Sequence, residues 1–281
     1  MTDKLNSLIL GVSAFFLSAS VISAAITSSY TNGTTYSSSG GYSFTVTETV
    51  ASGDYFVFSL TTNKKPSVTG FQFSTTAADL FTVFSTAVGE GNDANPDSLF
   101  AYMKITTGGT FDFTNNVDPL SSNTVPTVNW GYYIISGATL VDTASTYGVV
   151  DSDGDGGPAS LDLSLTLDLG ATYNDILVLE AGGSTASLLN RDTNAGNSFT
   201  QQFAGGNTNS TRLGGSDATQ TGISTIVYNY DLVHTGSGTS ANANGSGGLA
   251  GLAFVAVPEP GSFALISGFF ALGFVAFGRR K

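Results

Sequence analysis

The chain has 281 residues, 21 acidic and 9 basic side chains, and a net charge of −12 at pH 7. A protein of this charge repels nucleic-acid phosphates, so nucleic acid is excluded as a partner. The chain contains no cysteine, which excludes disulfides, thiol nucleophiles and thiolate metal sites.

The chain begins with the pattern of a secretory signal peptide, residues 1–25. Lys4 supplies a positive charge, residues 8–22 are mostly apolar, and a Ser-Ala-Ala ending fits the small-x-small cleavage rule. We therefore expect signal peptidase to cut between Ala25 and Ile26, with a cut after Ala24 as the alternative position. The alternative is a retained N-terminal membrane helix, and in both cases the rest of the chain is exported.

The exported body, residues 26–257, has the composition of an all-β protein. Abundant glycine, serine and threonine disfavour helices, whereas 20 Phe and 11 Tyr in the chain argue against disorder. Alternating or continuous apolar runs predict strands at 42–47, 55–60, 70–74, 80–84, 99–106, 128–135, 147–150, 161–169, 175–180, 223–233 and 249–257. Glycine-containing turns are predicted at 52–54, 107–109, 182–183, 205–206 and 214–215.

These short strands predict an antiparallel β-sandwich that is jelly-roll-like in plan. We expect a signal helix at the N-terminal side of this sandwich and a single transmembrane helix at its C-terminal side. The sequence shows no internal repeat. The low-complexity stretch 236–248 is rich in Gly, Ser and Asn. It is interpreted either as a flexible loop before the last strand or as a linker to the C-terminal segment.

An acidic loop is the candidate metal site of the body. Asp151, Asp153 and Asp155 alternate with small residues, which places three hard oxygen ligands on one side of a turning loop, as Ca²⁺ requires. Asp162 falls at the twelfth position of the loop. Pro158 and the strand downstream argue against an EF-hand, so we expect a structural calcium loop. The alternative is an acidic, solvated turn without a cation.

Trp130 and Tyr132 form a candidate sugar-stacking pair. In a strand, residues two apart share a face, so both rings lie on the same side of the sheet. Facing outward they would form a platform for glycan rings, and facing inward they would belong to the core.

The sequence gives little support for catalysis. His234 is the only histidine, and no nucleophile elbow precedes a helix. Glu48, Glu90 and Glu180 are the glutamates of the body, and their surroundings do not mark an acid and a nucleophile. We therefore expect a protein that is not an enzyme.

The C-terminus has three unlike features in a fixed order. They are a Pro-Glu-Pro turn, the apolar run 263–277, and a basic end. A helix of 15 residues spans about 22 Å, which is short for a bilayer core of about 30 Å. The run can hold a precursor in a membrane, but it is a marginal permanent span.

This ending, residues 258–281, resembles the PEP-CTERM sorting signal of Gram-negative bacteria. The resemblance implies that an exosortase recognises the motif Pro258, Glu259 and Pro260 and cuts near it. It implies that the basic end, Arg279, Arg280 and Lys281, is the stop signal. It also implies a precursor held transiently in the inner membrane and a product at the cell surface or in the extracellular matrix. The alternative is an ordinary anchor that is never cut.

The resemblance implies an association with exopolysaccharide, and together with the composition of the body it leads us to expect a non-catalytic structural or adhesive component. A carbohydrate-binding, lectin-like module is the alternative from another class. A glycan-active enzyme is the third and least favoured function.

Overall fold

The computed structural model describes residues 25–33, 36–37, 42–62, 71–85, 97–117, 127–150, 159–184, 187–193, 200–201, 204–207, 210–234 and 245–257. Residues Ile26–Val255 form one compact unit. Within the described ranges, the structure has no helix with the length and hydropathy needed to span a bilayer. The two helices predicted at the termini lie outside these ranges.

The described chain folds into 18 strands, which divide into two halves. The first half contains β1 (Thr27–Asn32), β2 (Tyr36–Ser37), β3 (Tyr42–Val50), β4 (Tyr55–Thr62), β5 (Phe71–Thr75), β6 (Thr82–Ser85), β7 (Asp97–Lys104), β8 (Gly109–Val117) and β9 (Thr127–Ser136). The second half contains β10 (Ala138–Val150), β11 (Ala159–Tyr173), β12 (Ile176–Ser184), β13 (Ser187–Thr193), β14 (Thr200–Gln201), β15 (Ala204–Asn207), β16 (Ser210–Gln220), β17 (Ile223–His234) and β18 (Gly245–Ala256).

Each half forms a large inner sheet and a three-stranded outer sheet. The first inner sheet has the order β1-β9-β4-β7-β6, with β2 also paired to β9, and the first outer sheet has the order β3-β8-β5. The second inner sheet has the order β10-β18-β12-β16-β14, with β15 also paired to β16, and the second outer sheet has the order β11-β17-β13. The strand pairs whose register is resolved are antiparallel.

The strand order of the second half repeats that of the first. β1, β9, β4, β7 and β6 correspond to β10, β18, β12, β16 and β14, and β3, β8 and β5 correspond to β11, β17 and β13. In both halves the chain passes back and forth between inner and outer sheets, as in a jelly roll. The predicted all-β, antiparallel fold is confirmed. The expectation of no internal repeat is wrong for the topology, because a repeated strand order needs only similar alternation, not similar residues.

Three apolar clusters hold the four sheets in one stack. The first outer and first inner sheets enclose a cluster that includes Phe44, Phe58 and Phe113. The two inner sheets enclose a second cluster, with Val57 on one side and Leu252 on the other. The third cluster lies between the second inner and second outer sheets. The layer order is therefore outer, inner, inner, outer.

This layering explains the two apolar patterns of the sequence. Strands of the inner sheets are covered on both faces, so residues 55–60 of β4 are buried without interruption. Strands of the outer sheets have one wet face. Residues 162–169 of β11 accordingly alternate between exposed polar side chains and buried leucines.

Candidate functional sites

The predicted processing sites lie mostly outside the described residues. The sorting motif Pro258, Glu259 and Pro260 and the stop signal Arg279, Arg280 and Lys281 are not among them. At the predicted signal-peptidase site, the side chain of Ala25 is exposed. The side chain of Ile26 packs against the cluster between the two inner sheets.

The predicted calcium ligands are only partly described. Asp151, Asp153 and Asp155 lie outside the described residues, whereas Asp162 lies on the wet face of β11 and is exposed. Asp162 is opposite Asp231 of β17 in the strand register. Within the described ranges, no three side chains of His, Asp or Glu come together in a group that could hold a metal ion.

Trp130 and Tyr132 lie on the same face of β9, and that face is turned into the core. Each is 6% exposed. The indole of Trp130 stacks on the ring of Phe44 across the sandwich. A Cβ on Gly33 would lie 2.1 Å from the indole, so this glycine gives the ring its space. Of the two interpretations of this pair, the structure has the core, and β9 offers no stacking platform for sugars.

The Tyr132 hydroxyl donates a hydrogen bond to Oε1 of Glu48. Burial, together with this hydrogen bond, raises the pKa of Tyr132, and a hydrogen bond with Thr31 acts in the opposite direction. This pair closes one part of the first sandwich. It supplies a single carboxylate, whereas glycoside hydrolysis usually needs two.

Glu48 and Glu180 are in different layers of the stack. Glu48 is on β3 of the first outer sheet. Glu180 is on β12 of the second inner sheet, where it is fully buried. The first inner sheet lies between them, and stacked sheets are about 10 Å apart, so the two glutamates are about 20 Å apart or more. Hydrolytic carboxylate pairs lie within about 10 Å of each other. These two glutamates therefore do not form such a pair.

The outward face of the first outer sheet is lined by hydroxyl and amide side chains and by the carboxylate of Asp112, and we call it the hydroxyl face. Its inward neighbours, such as Phe44 and Phe113, fill the first sandwich. The rows across the face follow from the strand register: Ser43, Asn116 and Gln72; Thr45, Thr114 and Ser74; Thr47, Asp112 and Thr76; Thr49 and Thr110.

Hydrogen bonds connect these side chains from strand to strand. The hydroxyls of Thr45 and Thr114 are 2.7 Å apart, and those of Thr49 and Thr110 are 2.8 Å apart. Between these rows, the Thr47 hydroxyl donates to Oδ1 of Asp112 at 2.6 Å. The alternation of residues 42–47 predicted β3. The hydrogen bonds between the strands were missed because they need β8 as the partner strand, which was not predicted.

The outer sheet of the second half has a different wet face. The exposed side chains of the edge strand β11 include Asp162, Ser164, Thr166 and Asp168. Carboxylates therefore occupy two positions on β11, whereas every outward residue of β3, its counterpart, is Ser or Thr. The repeated topology thus presents two faces of the same plan with different chemistry.

Comparisons with known proteins leave the family of this chain open. Neither a family model nor a curated protein matches. One solved structure that matches is described as "The Triple Jelly Roll Fold and Turret Assembly in an Archaeal Virus". The sequence identity is 14%, the TM-score is 0.22, and the match covers 80% of this chain. The match spans 60% of the viral chain.

Proposed function

We propose that this protein is a non-catalytic structural or adhesive component of the cell surface or extracellular matrix, associated with exopolysaccharide. It reaches that place through a PEP-CTERM and exosortase-like sorting system. The observation that carries the proposal is the C-terminal order of Pro-Glu-Pro, a short apolar run and a basic end. This order resembles a sorting signal more than any element of a folded body.

The N-terminal sequence supports the same route. The signal pattern ends at Ala25, and the next residue, Ile26, contributes its side chain to the core between the inner sheets. A cut between them would leave Ile26 at the start of the mature chain. Signal peptidase and the exosortase are therefore the proposed processing partners, and the inner membrane holds the precursor only transiently.

The described body favours a structural role over catalysis. Trp130 and Tyr132, the two aromatic side chains of the predicted stacking pair, are in the core. The outward side chains of β3 and of residues 162–168 in β11 are polar and exposed. The lectin-like alternative therefore requires a surface other than the Trp130 strand, and the glycan-active alternative requires a carboxylate pair other than Glu48 and Glu180.

Fractionation of producing cells tests the proposal. In a strain with the exosortase, we expect the intact mass of the surface or medium protein to lack the C-terminal segment. In a strain without it, the full-length chain should stay in the inner membrane fraction. A Pro258→Ala/Pro260→Ala variant should behave like the strain without the enzyme. Pro66→Ala, in the body, is the control and should be processed normally.

Two results would contradict this route. A chain of full length in both strains would leave only the ordinary anchor. A precursor that stays in the cytoplasm would remove export altogether.

A further inference from the structure

We propose that the hydroxyl face binds neutral polysaccharide, with hydrogen bonds from its threonine rows to the sugar hydroxyls. This inference names the class of exopolysaccharide for the function proposed above, and it rests on that function. It depends on three features of the face: its hydrogen-bonding capacity, the fixed conformation of its side chains, and its charge.

The hydrogen-bonding capacity of the face matches that of a polyol. The hydroxyls of Thr45 and Thr114 carry two O–H donors, and the bond between them uses one. Each such pair keeps a donor and several acceptor lone pairs for a ligand. Sugar hydroxyls also donate and accept, so the same groups can serve either role along a sugar chain.

The side chains of the hydroxyl face are held in place before a ligand arrives, which lowers the conformational entropy lost on binding. Cross-strand hydrogen bonds hold the Thr45, Thr47 and Thr49 side chains in fixed rotamers before a ligand arrives. Threonine is also restricted at χ1 by its branched Cβ. Rows on one sheet face repeat about every 6.8 Å along a strand, and strands are about 4.8 Å apart. An extended sugar chain therefore meets polar groups that are already in place.

The charge of the face selects a neutral partner. Among its described residues, Asp112 is the only charged one, and its Oδ1 accepts a hydrogen bond from Thr47. These residues therefore include no cation to attract an anionic polysaccharide, and the chain carries a net charge of −12. A neutral polyol satisfies the hydroxyls without this repulsion.

The second half provides an internal comparison. Strand β11 has the same place in its sheet as β3, but it carries Asp162 and Asp168 on its wet face. These carboxylates repel anions and are strongly hydrated, so that face does not share the neutral chemistry. We therefore expect sugar binding at the hydroxyl face and not at the face of β11.

Affinity electrophoresis of the full chain in mild detergent tests the inference. Gels would contain hydroxyethyl cellulose as the neutral polysaccharide or alginate as the anionic one. We expect retardation in the neutral gel only. Thr45→Val/Thr49→Val removes two exposed hydroxyls with little change of shape, and should weaken binding about tenfold, or about 1.4 kcal/mol. Thr45→Ser/Thr49→Ser keeps the hydroxyls and should retain most of the binding.

The matched control is Ser164→Ala/Thr166→Val on β11, which should change the affinity less than about twofold. Circular dichroism would show that every variant is folded. An equal loss in the control, unchanged binding in the valine variant, or equal retardation in alginate would overturn the inference. It would also be overturned if sedimentation showed a dimer of the wild type that the valine variant cannot form, since a second copy would then occupy the face.

The two proposals fail in different experiments. Loss of sugar binding leaves the processing and location of the chain untouched, and these are measured by fractionation. Failure of export leaves the affinity of the purified chain untouched.

Discussion

The indole of Trp130 stacks on the ring of Phe44, with 3.8 Å between ring centroids and 15° between ring planes. The contact joins β9 of the first inner sheet to β3 of the first outer sheet, and so closes the first sandwich. It places the only tryptophan of the chain in the core. Trp130 is therefore expected to stabilise the fold of the first sandwich.

Trp130→Ala should lower the free energy of unfolding by about 3–5 kcal/mol, because it removes a large buried ring and leaves a cavity. Urea unfolding followed by circular dichroism measures the change. Leu80→Ala is the control: Leu80 is 87% exposed, so the change should stay within about 0.5 kcal/mol. A loss of sugar binding by Trp130→Ala with unchanged stability would contradict the core assignment.

Tyr132 should make stability depend on alkaline pH. Burial and the hydrogen bond to Glu48 raise its pKa in the folded state above the usual value of about 10. Above pH 10 the unfolded chain has released this proton and the folded chain still holds it, so the free energy of unfolding falls as pH rises. Protonated Tyr132 makes its full contribution to stability below the pKa that it has in the unfolded chain. This contribution is lost as the pH rises through the pKa that Tyr132 has in the folded chain.

Denaturant unfolding of wild type and Tyr132→Phe at pH 8 to 11 measures this dependence. The difference in stability between the two proteins should shrink with rising pH. Tyr173→Phe, at the end of β11, is a control for general alkaline effects on tyrosine. A constant difference between wild type and Tyr132→Phe across the range would contradict the assigned cause.

The acidic loop gives a prediction for calcium. If Asp151, Asp153 and Asp155 bind Ca²⁺, the cation relieves the repulsion among their carboxylates, and the folded state gains stability by mass action. EDTA should then lower the melting temperature of the wild type, and Asp153→Ala should abolish that effect. Asp175→Asn, in the turn after β11, should leave it unchanged. Equal melting temperatures with calcium and with EDTA would favour the solvated turn.

The sequence predicted the strands whose side chains follow one simple pattern. Continuous apolar runs marked β4, and alternation marked β11, because the number of buried faces decides the pattern. β8 was missed because Asn115 points inward and is fully buried, which interrupts its apolar side. The turns predicted at 182–183, 205–206 and 214–215 are wrong, because these glycines are inside β12, β15 and β16. At 214–215 the register against β12 shifts, between the pairs Glu180↔Ser216 and Gly182↔Leu213, which marks a bulge.

The stacking of the two halves was beyond the reach of sequence patterns. Alternation tells how many faces of a strand are buried, but not which sheet covers each face. In the last strand, Leu252 faces the first half and Ala253 faces the second outer sheet. A protein with one sandwich, in which some other element covered the outer side of the sheet, would show the same apolar run in its last strand. The strand also begins at Gly245, inside the stretch predicted as a loop or linker.

The contact between the halves predicts that they unfold together. Phe254 of β18 is fully buried between the inner sheets, with its ring 5.2 Å from that of Tyr55 in an edge-on arrangement. If one half opened alone, the apolar inner face of the other would be left in water, so partial unfolding should be unfavourable.

Phe254→Ala should lower the stability of the whole unit by about 3–5 kcal/mol and keep a single transition. Differential scanning calorimetry tests this, with Val257→Ala, at an exposed position after β18, as the control. Two separate transitions, of which only one moves in Phe254→Ala, would show that each half is stable without the other.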